Sequence, residues 1–291
     1  MEPLYSLPLT KWSQAPSSDE RQAAIDALES GQVLFFPRLP FGLRDEEKEL
    51  LSPSLSNGRA KNISLDPSGK LKHIDVTPAQ HKLLQAMMER FAQNSVALVG
   101  NLFPCYATKL ERARTSYRPA EIAGRKYSPV KDDTRLHVDA FPTRPMRGRR
   151  ILRLFTNINP EGKPRLWHVG EPFEDMASKI LPKVREPIAL TALLLAAVGA
   201  TRGRRSAYDN LMLGLHDNAK LDEGYQRSTV HNDIAFPAGS TWLCFTDQVM
   251  HAALAGQFVL EQTFHLDIDV MAEPSRAPIK VLERMTGRVL A

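Results

Sequence analysis

The second half of the chain is broken into short β-rich runs, and that punctuation constrains the fold more than any other feature. Residues 135–141 (RLHVDAF), 150–158 (RILRLFTNI), 165–170 (RLWHVG), 241–247 (TWLCFTD) and 258–270 (FVLEQTFHLDIDV) carry it, with turn signals such as NPEG and FPAGS among them. Runs of this length, rich in β-branched and aromatic residues and bounded by Asn, Pro and Gly, read as the strands of a sandwich or barrel. Two stretches interrupt them with helix, 188–200 (IALTALLLAAVGA) and 207–220 (AYDNLMLGLHDNAK). The first is too short to span a bilayer and reads as a buried helix.

The first half is mixed α/β. Residues 18–31 (SDERQAAIDALESG) offer an N-cap serine, acidic residues in the first turn and a closing glycine, which predicts a helix. Residues 33–37 (VLFFP) then read as a buried strand. Thr77-Pro78-Ala79-Gln80 is a capping box with proline at the first helical position, and Leu83, Leu84, Met87, Met88 and Phe91 behind it form a core stripe. The expectation is a mixed α/β chain whose β-rich core is wrapped by N-terminal and inserted helices.

With 43% hydrophobic and 24% charged residues, the 291-residue chain is ordinary globular material with room for a sizeable core. The N-terminus has no basic start followed by an apolar run, so no secretory signal is expected. Cys105 and Cys244 are too far apart for metal-type spacing, which argues against a disulfide scaffold or a cysteine–zinc site and fits a reducing cytoplasm. The net charge is +5, and the arginines cluster at 144–153 (RPMRGRRILR) and at Arg202, Arg204 and Arg205. Such clusters are either a solvated basic face or a site for an anionic partner.

His-x-Asp occurs four times, at His73/Asp75, His137/Asp139, His231/Asp233 and His265/Asp267, so the pair alone is uninformative. Non-haem iron(II) chemistry demands more: two histidines and one carboxylate on one face of the metal, with open positions opposite. In folds that build such a triad the second histidine returns from a strand much later in the chain. His265 has no histidine after it, and the histidines after His231 follow too closely. His73 precedes most of the β-rich half, whereas His137 opens it. Among the histidines downstream of His137, His216 falls in a predicted helix, while His251 follows a turn and a strand. His137, Asp139 and His251 are therefore the candidate triad, against the plain alternative of core and surface histidines.

Residues 131–174 (KDDTRLHVDAFPTRPMRGRRILRLFTNINPEGKPRLWHVGEPFE) and 237–267 (PAGSTWLCFTDQVMHAALAGQFVLEQTFHLD) resemble the bacterial Kdo hydroxylases, iron(II)- and 2-oxoglutarate-dependent dioxygenases acting on 3-deoxy-D-manno-oct-2-ulosonic acid in lipopolysaccharide. The resemblance implies a double-stranded β-helix (jelly roll) in a single catalytic domain. Residues 1–115 would be an N-terminal α/β elaboration, 116–272 the jelly roll with a helical insertion at about 172–222, and 273–291 a C-terminal tail. It implies that His137, Asp139 and His251 hold Fe(II), with 2-oxoglutarate and O₂ as cosubstrates. It also implies hydroxylation of C3 of Kdo on Kdo-lipid A to give Ko, by a cytoplasmic enzyme touching the inner membrane peripherally, with no nucleic-acid partner. Arg118, Arg144, Arg147 and Arg149 become candidates for the anionic substrate. Many jelly-roll relatives anchor the far carboxylate of 2-oxoglutarate with an arginine on the strand after the distal histidine. Here that strand has no arginine or lysine, so the expected anchor is Arg153, assisted by Asn157, Gln262 and Thr263. Two rival readings are an oxygenase of the same chemistry acting on nucleic acid or protein, and a non-catalytic jelly-roll sugar-binding protein.

Overall fold

The structure is a computed structural model that describes residues 2–125, 127–185 and 205–291. The predicted helix at 188–200 and Arg202 and Arg204 lie outside the described residues. In chain order the strands are β1 (Leu4–Ser6), β2 (Val33–Phe36), β3 (Ile63–Leu65), β4 (Leu71–Lys72), β5 (Leu110–Arg118), β6 (Arg150–Asn157), β7 (Arg165–Gly170), β8 (His231–Phe236), β9 (Thr241–Phe245), β10 (His251–Ala255) and β11 (Val259–Leu266). The helices are α1 (Ser18–Glu29), α2 (Pro78–Leu102), α3 (Phe173–Ile180), α4 (Ala207–Leu221), α5 (Glu223–Ser228) and α6 (Pro278–Thr286).

Eight strands form one sheet in the order β1-β2-β9-β6-β11-β5-β3-β4, and three form a second in the order β10-β7-β8. All described pairings are antiparallel except β1 with β2. This is the β-rich core wrapped by helices that the sequence pattern predicts, in the double-stranded β-helix form that the family resemblance implies. The large sheet is covered on both faces, so β9 and β11 are buried at every position. One face, with Leu34, Leu152, Leu154, Leu243 and Leu260, packs into the cluster shared with α1 and α2. The other, with Phe155, Trp242, Cys244 and Val259, closes on Trp167, Val169 and Ala253 of the small sheet. There Phe155 and Trp242 stack at 5.3 Å and Trp242 and Phe236 at 4.2 Å, each such pair adding roughly 0.5–1.5 kcal/mol beyond the area it buries.

The N-terminal helices form for the reasons read in the sequence, with one adjustment. The cap of α1 is Ser17, reciprocally bonded with Glu20, one residue ahead of the expected start. Thr77 and Gln80 close the capping box of α2, whose Leu84, Met87, Met88 and Phe91 are buried. The Thr134–Pro142 stretch departs from expectation: it is extended but not a strand. Its one ladder contact is the bridge between His137 and His251. Gln226 of α5 takes the place of a neighbouring strand, accepting from the Leu136 amide at 2.9 Å and donating to the Leu136 carbonyl at 2.9 Å. The predicted alternation survives, with Leu136 and Val138 in the core.

Candidate metal centre

His137 and His251 are tied to one another through the main chain. The His137 amide donates to the His251 carbonyl at 3.0 Å, and the His251 amide donates back to the His137 carbonyl at 2.9 Å. Their rings lie 4.6 Å apart. Asp139 is held two residues further on, its amide donating to the Thr246 carbonyl at 2.7 Å. The ligand atoms of His137, Asp139 and His251 fall within 4.8 Å of one another. In each histidine Nδ1 meets a carbonyl two residues back, Arg135 at 2.7 Å and Val249 at 2.8 Å. With Nδ1–H donating, Nε2 carries the lone pair, which is the tautomer a metal ligand needs.

The electrostatics suit a cation. Burial, and for His137 also the neighbouring His251, holds both imidazoles below their usual range, so they are neutral donors. Burial opposes ionisation of Asp139, but the Arg153 guanidinium, helped by the Thr246 hydroxyl, outweighs it and the carboxyl lies below the ordinary range. Asp139 Oδ2 is buried with no hydrogen bond of good geometry, its near neighbour being the Arg153 guanidinium at 3.2 Å. Two neutral imidazoles and one ionised carboxylate fit a divalent first-row metal with positions left open.

The three side chains open into a small chamber of about 50 Å³ that Arg118, Arg153, Arg165 and Trp167 also line. The arginines differ in their commitments. Arg118 grips the buried Glu261 at 2.5 and 3.0 Å. Arg153 lies 3.2 Å from Asp139 and 3.2 Å from Glu261. Arg165 makes no ion pair among the described residues; its Nη1 donates to the Gly256 carbonyl at 2.6 Å, and its Nε is buried without a partner. Burial, reinforced by Arg118, pushes its guanidinium down to about 9. Gly256 permits this fit: its backbone has φ +110°, and a Cβ there would sit 3.0 Å from Arg165 Cδ and 3.2 Å from its Cα. Trp167 stacks on His251 at 5.2 Å, and its buried Nε1–H also lacks a partner.

Arg118, Asp139 and Arg153 are shared with a second cavity of about 330 Å³, lined by five cations (Lys61, Arg114, Arg118, Arg144, Arg153) against three carboxylates. Thr263 and His265 project into it from β11. It is a polar anion-accepting space beside the triad.

The sequence-predicted residues separate accordingly. Arg118, Arg144, Arg153 and Thr263 line the cavity. Arg149 is committed to Glu111 and Asp267, both at 2.7 Å, and Arg147 is exposed and outside it. Asn157 and Gln262 are corrections. Asn157 spends its amide on a turn, donating to the Lys163 and Phe236 carbonyls and accepting from the Asn159 amide. Gln262 follows Glu261 and precedes Thr263, so alternation turns it to the opposite face, where it accepts from Thr115 at 2.6 Å. Arg165 was missed. His216, set aside as helical, does lie on α4, but its ring meets His137 edge-on at 5.3 Å.

The profile of one protein family, described as 3-deoxy-D-manno-oct-2-ulosonic acid (Kdo) hydroxylase, matches residues 11–289. Among solved structures, the Kdo hydroxylase KdoO, a non-heme Fe(II) alphaketoglutarate-dependent dioxygenase, in complex with alphaketoglutarate and Fe(III), is 46% identical with a TM-score of 0.96, covering 100% of this chain and 98% of that one. KdoO with cobalt(II) is 47% identical with a TM-score of 0.97, covering 99% and 97%. KdoO with succinate and Fe(III) is 46% identical with a TM-score of 0.96, covering 99% and 97%. No curated protein matches the chain.

Proposed function

The chain belongs to the Kdo hydroxylase family of Fe(II)- and 2-oxoglutarate-dependent dioxygenases, and on that premise we propose that it hydroxylates C3 of Kdo on Kdo-lipid A, giving Ko, with His137, Asp139 and His251 as its iron ligands. The observation that carries the reading is that the triad's chamber and the cation-rich cavity are neighbours sharing Arg118, Asp133, Asp139 and Arg153 as wall residues. The bound iron, with 2-oxoglutarate and O₂, supplies the oxidising power to hydroxylate an unactivated C–H bond, which no side chain can provide.

The protein's own residues bind, orient and tune. His137 and His251 offer Nε2, and Asp139 offers its carboxylate, kept ionised by Arg153. Arg165, which makes no ion pair among the described residues, receives the far carboxylate of 2-oxoglutarate, with Arg118 and Arg153 beside it and Trp167 donating from the wall. This moves the principal anchoring role from Arg153, the expected one, to Arg165. Kdo is a carboxylate sugar, and the outer cavity suits it, lined by Arg114, by Lys61 and Arg144 (which pair with Asp133 and Glu111 and would be shared with the sugar) and by Thr263. No helix of the described residues is long and apolar enough to cross a membrane. We place the enzyme, as one catalytic domain, in the cytoplasm, meeting lipid A peripherally at the inner membrane.

The test is anaerobic loading with Fe(II), followed by 2-oxoglutarate, O₂ and Kdo₂-lipid A. The expected product is heavier by one oxygen on its Kdo portion, with succinate formed in step. Succinate formed without that gain, or only alongside a nucleic-acid or protein acceptor, refutes the substrate assignment.

A further inference from the structure

A second group of metal-ligating side chains stands apart from the triad, on the outward face of the small sheet. Register places His168 of β7 opposite Asp233 of β8, and Gly170 opposite His231. His231 and Asp233, two apart on one strand, share a face with His168. His168 Nε2 lies 3.0 Å from Asp233 Oδ1, and His231 Nε2 lies 3.7 Å from the same oxygen. The imidazoles stack at 3.9 Å with 24° between their planes. The three ligand atoms all fall within 4.8 Å of one another.

The wiring of His231 repeats that of the triad. Its Nδ1 meets the carbonyl of Thr229, two residues back, at 3.1 Å, as His137 meets Arg135 and His251 meets Val249. With that hydrogen bond the neutral ring turns its lone pair at Nε2 toward Asp233 and His168. We propose that His168, His231 and Asp233 form a second site, for a borderline divalent cation such as Zn²⁺, Co²⁺ or Ni²⁺, which clips the edge strand β8 to β7. Two imidazoles and a carboxylate are the donor set these ions favour. Water completes the coordination, since Asp233 is 83% exposed at its side chain, His231 is exposed and His168 is half-buried. The clip acts on an edge: β8 pairs with β7 alone, and its first three residues are exposed. Inward-facing Arg165 and Trp167 belong to the same β7, so an ion here braces the wall of the catalytic chamber from behind.

The test is titration of the metal-free full chain with Co²⁺ alone, read by calorimetry and by the visible absorption of the bound ion. Wild type takes up two equivalents. His137→Ala/His251→Ala, which removes the triad's imidazoles, keeps one, and adding His231→Ala to it leaves none. Asp233→Asn in the triad-free background preserves the fold and weakens the remaining site by at least about tenfold, the lower end of what even an outer-shell partner contributes. His231→Ala alone retains Kdo hydroxylation, because it leaves the triad and its chamber intact. Absence of any Co²⁺ uptake by the His137→Ala/His251→Ala chain, or uptake that survives His231→Ala and Asp233→Asn, overturns the proposal and leaves the assignment of the triad untouched.

Discussion

Replacing Arg165 by methionine should make the free protein more stable and its cosubstrate weaker, two effects that seldom travel together in a buried position. The guanidinium is 2% exposed as a residue and faces no carboxylate at pairing distance. Its depression from the usual guanidinium value to about 9, through burial and then the neighbouring Arg118, corresponds to roughly 4–5 kcal/mol of net penalty at 1.36 kcal/mol per tenfold. Against that relief stands the lost hydrogen bond to the Gly256 carbonyl, which left bare costs about 1–3 kcal/mol. Arg165→Met should therefore gain about 1–4 kcal/mol, which at about 2 °C per kcal/mol for a chain of this size is a rise in Tm of about 2–8 °C without 2-oxoglutarate. One charge-assisted hydrogen bond to the far carboxylate is worth about 1.5–3 kcal/mol, so 2-oxoglutarate should bind roughly 10- to 150-fold more weakly. The assays are differential scanning calorimetry of the cosubstrate-free chain and anaerobic 2-oxoglutarate titration of the iron-loaded chain followed by tryptophan fluorescence. Unchanged affinity removes Arg165 from the cosubstrate site. A fall in Tm that parallels the fall in affinity makes it a structural residue instead.

Single substitutions His137→Ala, Asp139→Ala and His251→Ala should each reduce turnover to background and iron retention after desalting, while His73→Ala, outside the site, retains both. Arg150 and Asp247 form a buried ion pair at 2.8 Å, both side chains almost wholly excluded from water. Arg150→Met strands that carboxylate and should cost about 3–5 kcal/mol in urea denaturation, most of it regained in Arg150→Met/Asp247→Leu. His265 is pushed down to about 4 by burial and then by Arg144, whereas the unfolded chain takes up that proton near 6.5. Its contribution is present above pH 6.5 and is lost as pH falls from 6.5 to 4, by up to about 3 kcal/mol; His265→Gln should make that limb of the stability profile shallower, the remainder belonging to groups such as His137 and His251 that are also held below their usual range. A pH titration of Tm that leaves the limb unchanged would show that another group carries it.

The meeting of His137, Asp139 and His251 was legible because chain order and strand context prune candidates that a two-residue motif cannot. Elements with strong local signals were legible too, such as the capping box at Thr77 and the punctuated strands β6, β7, β9 and β11. The segment bearing His137 and Asp139 looked like a strand because its period of two is real; what period cannot reveal is that a glutamine from α5 supplies the partner. Gln262 and Thr263 were both named for one site, though neighbours on a strand face opposite ways, so alternation alone could have removed one of them. Arg165 carried a signal that went unread. It stands in phase with Trp167 and Val169, the buried positions of β7, while Leu166 is exposed and His168 half-buried. A charged residue on the apolar phase of a strand needs an internal partner or a ligand. The ion pairs of Arg118 and Arg153 with Glu261 depend on which strands become neighbours, which no local pattern specifies.

The reciprocal amide bonds between His137 and His251 set the spacing of the two imidazoles before any ion arrives. Beyond that fixed backbone the side-chain torsions, the carboxylate and the open positions accept several coordination preferences. Preference among first-row divalent ions then follows their general order, in which cobalt, nickel and copper bind such nitrogen and oxygen donors more tightly than iron(II). With the triad as the proposed iron site, supply rather than the donor set would select the catalytic ion, and a preparation passed over a nickel resin should carry nickel until it is stripped.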